Sequence, residues 1–442
     1  MSCRIAVFGT GYLGATHAAC MAELGHEVLG VDVDEGRLGK LAAGELPFFE
    51  PGLQELLRAN IDTGRLRFTS SYREAAEFAD VHFIAVGTPQ KPGELAADLR
   101  YVDAVIETLG PLLERPAVIF GKSTVPAGTA ARLGARVREL APAGDRVELA
   151  WNPEFLREGH AVRDTLHPDR IVLGVDRDRP GNAEAVARQV YARLLDERIP
   201  FLVTDLATAE LVKTAANAFL ATKISFINAI AEVCEAAGAD VTVLADAIGY
   251  DARIGRHFLN AGIGFGGGCL PKDIRAFIAM AGELGAGQAF ALLREVDGIN
   301  MRRRNKAVEL AREAAGGSFI GTRVAVLGAA FKPDSDDVRD SPALNIAGQI
   351  QLQGAAVSVY DPEAMQNARR LFPTLEYAPD VATACRGADV VMILTEWRQF
   401  VELDPAELGA VVRRRYVVDG RNCLDPRRWR AAGWTYRGIG RP

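Results

Sequence analysis

Short apolar runs that alternate with longer amphipathic segments dominate the first half of the chain. Runs such as residues 4–8 (RIAVF), 81–86 (VHFIAV) and 117–120 (AVIF) end at turn-forming residues. Continuous runs of this kind are typical of strands that are covered on both faces, as in parallel sheets. Because segments long enough for helices separate the runs, the pattern predicts an α/β domain with a parallel sheet.

The middle of the chain has a different pattern, rich in alanine and free of proline. It extends from about residue 205 to residue 237, and Gly238 follows where a helix commonly ends in a left-handed glycine. One helix of roughly 30 residues would span about 45 Å at 1.5 Å per residue. This length suits a spine that joins two domains and offers a surface for dimerisation. Further helices are expected over residues 241–248 and from Asp273 to about residue 315.

A glycine-containing linker at residues 314–318 precedes a second copy of the opening pattern. We therefore predict two Rossmann-like doubly wound α/β domains joined by a long central helix and a helical middle domain. Three later segments match earlier ones: residues 323–328 match 4–9, residues 356–361 match 27–32, and residues 388–394 match 79–85. The expected domain boundaries are residues 1–204 for an N-terminal domain, 205–316 for the middle domain and 317–442 for a C-terminal domain.

Composition narrows the class of protein. The chain has 442 residues, with 51 Lys and Arg against 57 Asp and Glu, so its net charge of −6 predicts no general nucleic-acid affinity. Its six cysteines are scattered without a C-x-x-C pair, which argues against disulfides and a zinc site and favours a reducing compartment. No apolar run approaches the ~18 residues of a membrane span, and Met1 leads straight into a strand pattern rather than a secretion signal. We expect a cytoplasmic protein without metal or membrane partner.

A dinucleotide-binding pattern occupies the first strand–helix–strand unit. Residues 9–14 (GTGYLG) have the G-x-G-x-x-G spacing, open a helix and are followed by a strand that ends at Asp32. The glycines permit a tight turn and the close approach of a pyrophosphate, whose charge the helix N-terminus favours. Asp32 would accept hydrogen bonds from a ribose diol, which favours NAD over NADP. Arg37 weakens this preference slightly, since its guanidinium is able to stack on adenine or pair with a phosphate.

Polar residues also follow the later strands. Thr88 and Thr124 come directly after apolar runs, and ligands in such folds sit at the carboxyl ends of strands. Both are candidate contacts to a cofactor or water, although each taken singly is more often a turn or N-cap residue. Glu154 and Glu158 are four positions apart and would share one helical face if a turn forms there. The alternative is a solvated acidic turn.

The segment at residues 264–273 (GFGGGCLPKD) carries a candidate nucleophile. Four glycines let a backbone approach a ligand, and Pro271 suits the first turn of a helix. A cysteine at a helix N-terminus with Lys272 beside it has two reasons for a lowered pKa, so Cys269 is a candidate covalent nucleophile. A buried apolar cysteine beside a flexible turn is the alternative. Lys213 and Asn217 are four apart on the predicted long helix and face the same way.

In the C-terminal repeat, cations replace the glycines. Residues 331–342 (FKPDSDDVRDSP) stand where the first domain has its G-x-G-x-x-G pattern, and Arg421 follows a late strand. We therefore expect a different nucleotide here, held partly by cations.

Seven motifs in the same order make the chain resemble the UDP-glucose/GDP-mannose dehydrogenase family over essentially its whole length. The resemblance implies oxidation of the primary alcohol of a sugar nucleotide to a carboxylate, with two NAD and one water. Residues 249–255 look most like those of members that act on UDP-glucose, with a UDP-N-acetylhexosamine or GDP-mannose as the alternative. The motifs are residues 9–14, 123–126, 152–159, 213–220, 264–273, 331–342 and 419–422.

The resemblance also implies roles for individual residues. Cys269 would be the nucleophile, with Lys213, Asn217 and Asp273 as its polar neighbours, while Thr124 and Glu154 position a catalytic water. Further cofactor contacts would be Gly9, Gly11, Tyr12, Leu13, Gly14, Asp32, Arg37, Thr88, Thr124, Glu158 and Arg339. Substrate contacts would be Glu154, Phe155, Leu156, Lys213, Asn217, Phe265, Gly266, Lys332 and Arg421, with Arg253 reaching the substrate of a neighbouring subunit. Thr214 and Gly268 depart from the common Tyr and Ser of the family, and neither change removes a group that the chemistry needs.

Two other classes of protein share part of this pattern. A two-electron β-hydroxyacid dehydrogenase has the Rossmann domain and long helix, but it needs neither Cys269 nor residues 319–442. A catalytically inactive NAD-binding or scaffolding protein would need none of the polar residues named above. The sequence therefore favours a four-electron enzyme that works as a homodimer or higher homo-oligomer.

Overall fold

The structure is a computed structural model that describes residues 2–288 and 290–442. The chain divides into two compact units. The first comprises Met1–Ala216 and Arg275–Leu284, and the second comprises Asn217–Ile274 and Gly285–Pro442. The expected middle domain, residues 205–316, thus contributes to both units.

The first unit is built on an eight-stranded sheet whose order is β3-β2-β1-β4-β5-β6-β7-β8. The first six strands have the Rossmann order, and pairing is parallel except where Trp151 of β6 faces Gly174 of β7 in antiparallel register. The predicted α/β domain is confirmed, although β4 ends two residues earlier than its apolar run. The strands are β1 (Arg4–Phe8), β2 (Glu27–Val31), β3 (Leu66–Thr69), β4 (Val81–Ile84), β5 (Ala117–Gly121), β6 (Val147–Trp151), β7 (Ile171–Val175) and β8 (Phe201–Asp205).

Helices cover both faces of this sheet, as its two hydrophobic clusters require. They are α1 (Tyr12–Glu23), α2 (Glu35–Ala42), α3 (Leu53–Asp62), α4 (Tyr72–Phe78), α5 (Arg100–Leu109), α6 (Thr129–Leu140), α7 (Ala161–Leu166), α8 (Ala183–Val190) and α9 (Ala192–Asp196), with 3₁₀ turns at Gly110–Leu112 and Gly144–Arg146.

The predicted long helix is confirmed as α10 (Leu206–Ala237), which has 32 residues. Gly238 follows with φ = +71°, and the N–H of Ala239 donates to Cys234 O at 2.9 Å, so a left-handed glycine ends the helix as expected. The boundary of the two units falls within α10. The next helices, also near their predicted positions, are α11 (Val241–Gly249), α12 (Leu270–Glu283) and α13 (Ala291–Ala314).

The second unit contains a six-stranded, all-parallel sheet of order β11-β10-β9-β12-β13-β14. This is the Rossmann order again, so the predicted second copy is confirmed. Its strands are β9 (Arg323–Leu327), β10 (Ala356–Tyr360), β11 (Glu376–Tyr377), β12 (Val390–Ile393), β13 (Tyr416–Asp419) and β14 (Thr435–Gly438). Its helices are α14 (Pro342–Leu352), α15 (Met365–Leu371), α16 (Val381–Cys385), α17 (Arg398–Val401), α18 (Pro405–Leu408) and α19 (Pro426–Ala431).

Among the described residues no two cysteines form a disulfide, and Cys269 is exposed. Across residues 2–288 and 290–442, no helix combines the length and the apolar character needed to cross a membrane.

Candidate active site

The turn between β1 and α1 is packed so closely that two of its glycines have no room for a side chain. At Gly9, φ is +90° and an added Cβ would lie 2.9 Å from Val86 Cα. At Gly14, an added Cβ would lie 1.7 Å from the carbonyl oxygen of Gly9. Gly11, the N-cap of α1, differs because an added Cβ there would meet no described protein atom within 4 Å. The open face at Gly11 is where the first amides of a helix suit a phosphate.

Asp32 follows β2 and binds the glycine turn through its carboxylate. Its Oδ2 accepts hydrogen bonds from Thr10 N at 2.7 Å and Thr10 Oγ1 at 2.9 Å. Burial acts to raise the pKa of Asp32, but these bonds, a bond from Asp34 N and the charge of Arg37 hold it below its usual value. Arg37, expected near adenine or a phosphate, pairs with Asp32 at 3.0 Å and Asp34 at 3.5 Å. An ionised acid at this position fits the ribose of NAD.

Glu50, which the sequence analysis missed, ties the cofactor loop to a second segment. Tyr12 donates a hydrogen bond to Glu50, and the same carboxylate accepts from Gly159 N at 2.6 Å and Ala161 N at 2.7 Å. Burial and the neighbouring Glu50 both raise the pKa of Tyr12, so its hydroxyl stays a donor. Glu50 thereby fixes the turn that contains Glu158, whose side chain is buried.

The segment between β6 and α7 does not have the helical turn that the spacing of Glu154 and Glu158 suggested. Residues 152–157 have no regular structure, so the helical turn that would place Glu154 and Glu158 on one face does not form. Instead, Glu154 Oε1 lies 3.1 Å from Lys213 Nζ, and its Oε2 accepts a hydrogen bond from Leu156 N at 2.8 Å. Phe155 lies under the Arg170 guanidinium, 3.8 Å from its ring centre. The structure thus brings Glu154 and Lys213 together.

A buried lysine that the sequence analysis left out lies at the base of this segment. Lys122 Nζ donates to Asn152 Oδ1 at 3.0 Å, and Tyr191 donates to the same oxygen at 2.6 Å. Burial lowers the pKa of Lys122 to about 8, with Glu154 opposing and Lys213 reinforcing the shift. The signal for Lys122 was its position directly before the motif at residues 123–126.

Thr88 and Thr124 follow β4 and β5, and the structure brings them together. Thr88 Oγ1 donates to Thr124 O at 2.8 Å, and Ser123 Oγ donates to Val86 O at 2.7 Å. The loops after β4 and β5 are therefore joined by hydrogen bonds at the carboxyl edge of the first sheet.

Cys269 is exposed at the N-terminus of α12 in the second unit. Its carbonyl accepts the N–H of Asp273 at 2.9 Å, so Cys269 is the N-cap residue, and Pro271 lies in the first turn as predicted. Asp273 is 1% exposed, with Oδ2 bonded to Asn217 Nδ2 and Oδ1 to Lys272 Nζ, each at 2.6 Å. The ammonium of Lys272 is thus held by Asp273, one helical turn from the thiol.

The glycines before Cys269 have a packing role that was not anticipated. An added Cβ would lie 2.4 Å from Asp340 O at Gly266, 2.8 Å from the Phe331 ring at Gly267 and 2.2 Å from Arg339 Cζ at Gly268. Residues 331–342 therefore fill the space beside Gly266 and Gly267, so these two glycines are needed for packing within the chain whatever ligand binds. At Gly268 the neighbour is the flexible end of the Arg339 side chain, which is 60% exposed and able to shift, so a small side chain such as Ser is tolerated there.

Two further residues missed in the sequence hold the same stretch from α13. Asn300 accepts from Phe265 N at 2.7 Å and donates to Phe265 O at 3.0 Å. Arg304 donates to Phe265 O at 3.4 Å and pairs with Asp340 at 2.9 Å. Phe265 is therefore fixed through its backbone, four residues before the thiol.

The predicted cations of the second unit have different surroundings. Arg421 donates to the backbone oxygens of Gly264 and Leu394 at 2.9 Å and of Phe331 at 3.0 Å. Lys332 Nζ lies 5.6 Å from the centre of the Phe331 ring. Arg421 thus joins the glycine stretch to residues 331–342, which carry Lys332.

Two other predicted arginines pair with neighbouring carboxylates. Arg339 pairs with Asp337 at 2.7 Å. Arg253, whose side chain is 89% exposed, pairs with Asp251 at 2.6 Å, which holds the pKa of Asp251 below its usual value. The segment around Arg253 is anchored by Lys223, which donates to Ile254 O at 2.9 Å and Gly255 O at 3.1 Å.

Comparison with known protein families agrees with this arrangement along most of the chain. Models of the UDP-glucose/GDP-mannose dehydrogenase family match its NAD binding domain to residues 3–195, its central domain to residues 207–302 and its UDP binding domain to residues 325–426. The chain belongs to this family. The family assignment and the prediction of NAD as cofactor are thereby confirmed.

Individual members of the UDP-glucose/GDP-mannose dehydrogenase family match the whole chain. A UDP-glucose 6-dehydrogenase of Rhizobium meliloti is 43% identical over 439 residues, covering 99% of this chain and 100% of that protein. The solved UDP-glucose dehydrogenase of Pyrobaculum islandicum has a TM-score of 0.91 at 39% identity, covering 100% of this chain and 98% of that one. The UDP-D-ManNAc dehydrogenase of Pyrococcus horikoshii has a TM-score of 0.86 at 28% identity, with 99% of both chains covered.

Proposed function

We propose that this chain is a UDP-glucose 6-dehydrogenase, which converts UDP-glucose, two NAD⁺ and water into UDP-glucuronate and two NADH. The observation that carries the proposal is the exposed thiol of Cys269 at the start of α12, beside the buried group of Asp273, Asn217 and Lys272. An alcohol oxidation that stops at two electrons has no use for a thiol, whereas oxidation to an acid does. The identity to the Rhizobium meliloti enzyme supports UDP-glucose as the substrate.

The first oxidation needs a base for the hydroxyl proton at C6. Thr124 is our candidate to hold the water through which this proton leaves. NAD, when bound, accepts the hydride in each of the two oxidation steps.

The second oxidation depends on Cys269. Its thiolate adds to the aldehyde carbon and forms a C–S bond, and the resulting thiohemiacetal carries a hydrogen that can leave as hydride. Loss of that hydride gives a thioester. Lys213 and Asn217, one turn apart on α10, would stabilise the negative oxygen at each tetrahedral stage.

Hydrolysis releases the product and restores the thiol. Water adds to the thioester carbon, the C–S bond breaks, and the sulfur leaves as thiolate. The water loses its proton to a carboxylate, for which Glu154 and Asp273 are the two candidates. Of the two, Glu154 has its Oε1 3.1 Å from Lys213 Nζ, so a water activated there would lie beside the ammonium that is proposed to stabilise the tetrahedral oxygen.

We propose that each of the two Rossmann domains binds one of the two ligands. We take the domains to span residues 1–204 and 317–442, as expected from the sequence. Gly9, Gly11, Gly14 and Asp32 would hold NAD through the open helix start and the ionised acid. The sugar nucleotide would be held by cations of the second unit. These are Lys332 and Arg421, with Arg339 on the cofactor side.

A homodimer is the assembly that fits the surface of α10 in the second unit. Phe219, Phe226 and Val233 recur at intervals of seven positions and are 67%, 51% and 62% exposed. Apolar side chains at this spacing form a stripe along one helix face, which a second helix covers well. We place this dimer in the cytoplasm and expect Arg253 to reach the ligand of the partner subunit.

Counting the NADH formed per sugar nucleotide tests the function. Purified protein and excess NAD⁺ are mixed with limiting UDP-glucose, UDP-N-acetylmannosamine, UDP-N-acetylglucosamine or GDP-mannose, and absorbance at the NADH band is followed to completion. Two NADH per UDP-glucose supports the proposal. One NADH would point to a simple alcohol dehydrogenase, and turnover of another sugar nucleotide alone would move the chain to a different substrate.

A further inference from the structure

Glu210 is a buried carboxylate that the mechanism above does not use. It lies on α10, is 2% exposed and reaches the start of α6 in the first unit. Its Oε2 accepts a hydrogen bond from Gly128 N at 2.7 Å, and its Oε1 accepts one from Ala130 N at 2.6 Å. Two hydrogen bonds of this length from backbone amides make a directional anchor.

The anchor replaces a cap that α6 lacks. Its N-cap residue, Gly128, has φ = +92°, a backbone conformation that a capping Ser or Asp would adopt only with strain. The first amides of α6 therefore depend on a carboxylate supplied by α10, whose charge also suits the positive end of the helix. Burial raises the pKa of Glu210 to about 7, so the anchor comes at a cost in folding free energy.

The position of the anchor links two groups that the reaction needs. Thr124 lies four residues before Gly128, and its carbonyl is held by Thr88 at 2.8 Å. Glu210 holds the other end of this short loop. Lys213 lies three positions after Glu210 on the same helix, so one rigid element carries both the anchor and the lysine.

We infer that Glu210 is a positioning residue, which fixes the Thr124 loop relative to Lys213 so that proton removal at C6 proceeds in the correct geometry. The inference rests on the proposed function, because that function assigns the proton path to Thr124. Displacement of such a loop by about 1 Å is enough to cost up to roughly a hundredfold in rate.

The chain offers a matched control in Glu148. Its carboxylate also binds two amides at a helix start, Asn182 N at 2.8 Å and Ala183 N at 2.9 Å, at the beginning of α8. Glu148 lies on β6, in the same unit, and has no part in the proposed chemistry. Glu148→Gln therefore removes the same kind of bond without touching the Thr124 loop.

The test compares Glu210→Gln, Glu210→Asp and Glu148→Gln in the full chain, with and without Thr124→Ala. We expect Glu210→Gln to lower kcat by about tenfold or more while KM for UDP-glucose changes less than about threefold. In the Thr124→Ala background, the same change should cost less than about twofold, because the group being positioned is gone. Glu148→Gln should lower the melting temperature but leave kcat within about twofold of the parent.

Hydrogen–deuterium exchange gives a readout that needs no turnover. Peptides covering residues 122–130 should exchange faster in Glu210→Gln, and those covering residues 181–186 should do so only in Glu148→Gln. An unchanged kcat in Glu210→Gln and Glu210→Asp, or the same loss with and without Thr124, would overturn the inference. If the parent chain oxidised no sugar nucleotide, the proposed function would fail instead, whatever the exchange data show.

Discussion

The two Rossmann sheets of this protein begin with the same turn and then diverge. In the first, Gly9 N donates to Val31 O at 2.8 Å, and in the second Gly328 N donates to Tyr360 O at 2.8 Å. Both glycines have positive φ, +90° and +111°. The strand order of both sheets is the same through six strands. Because the turn itself is shared, a difference in ligand between the two sheets has to come from the residues after it.

The acids at the ends of the second strands illustrate this. Asp32 is 9% exposed and bonds one residue of the turn, Thr10. Asp361 is 1% exposed, and its Oδ2 accepts from Ala329 N at 2.7 Å, Ala330 N at 3.0 Å and Trp397 Nε1 at 3.1 Å. The carboxylate at this equivalent position is thus accessible to a ribose in the first sheet, as Asp32, and is enclosed by protein in the second, as Asp361.

The helix starts differ in the same sense. α1 begins directly after the turn, with Gly11 as its N-cap residue. No described side chain caps this helix start, so its first amides are available to a ligand. α14 begins after residues 331–341 have intervened, and Ser341 Oγ caps it by accepting from Leu344 N at 3.3 Å. The second domain has therefore exchanged a phosphate-binding helix start for a loop that carries Lys332 and Arg339.

The largest effect is expected for Cys269, which lies outside both sheets. Because the thioester needs a thiol, Cys269→Ser should reduce UDP-glucuronate formation by more than about a thousandfold, while NAD binding to the first sheet persists. Product analysis by chromatography and NAD titration measure the two outcomes. Cys423→Ser, a half-buried thiol of the second unit, is the control. Normal four-electron turnover in the Cys269 variant would refute the covalent mechanism.

The next largest effect separates the two glycine turns. Gly11→Ala places a methyl group in open space at the start of α1, so we expect an increase of about tenfold or more in KM for NAD with an unchanged melting temperature. Gly328→Ala in the second turn would put a Cβ 2.4 Å from Thr395 Oγ1 and should destabilise the protein. Equal effects of both changes on KM for NAD would contradict the division of roles.

The two acids should differ in kind as well as in size. Asp361→Asn leaves buried donors without their charged acceptor, which costs about 1–3 kcal/mol of unfolding free energy. Asp32→Asn should cost less unfolding free energy. It should instead raise KM for NAD and reduce the preference of the enzyme for NAD over NADP. Denaturant unfolding and steady-state kinetics with both cofactors distinguish these outcomes; a stability loss without any change in cofactor preference at Asp32 would count against its ribose role.

The smallest effect concerns pH and belongs to the first unit. Burial raises the pKa of Glu210 to about 7 in the folded protein, above the usual value of 4.5, so folding takes up a proton between these values. Stability from this group is therefore lost as pH rises, by about 1 kcal/mol between pH 6 and pH 8. Melting temperatures across that range should fall less steeply in Glu210→Gln than in the parent. Parallel curves would show that the carboxylate does not titrate there.

Local patterns predicted the scaffold well, because strand runs, the glycine turn and the proline-free helix α10 are encoded in consecutive residues. The Glu154 and Glu158 spacing misled, because the carboxylate of Glu154 bonds Leu156 N and Lys213 rather than continuing a helix. Spacing alone carries no information about such competing partners.

The residues missed have a common physical reason. Glu50, Glu210 and Asn300 bind backbone amides far away in the sequence, and Glu50 reaches Gly159 across 109 positions. A carboxylate or amide on an ordinary helix or loop shows no local sign of such a partner. Only the folded chain reveals which of its many polar residues are anchors.

The reach of Glu210 also bears on where the chain can be divided. A fragment that stops at residue 204 keeps nearly all of the first sheet, yet it discards the carboxylate that caps α6. Recombinant excision of the NAD-binding half therefore has to continue into α10 at least as far as Ala216, and even that fragment lacks Arg275–Leu284, which belong to the same compact unit. A fragment cut at the end of β8 would lose the Glu210 contacts to the start of α6, and the loop that carries Thr124 would no longer be fixed at that end.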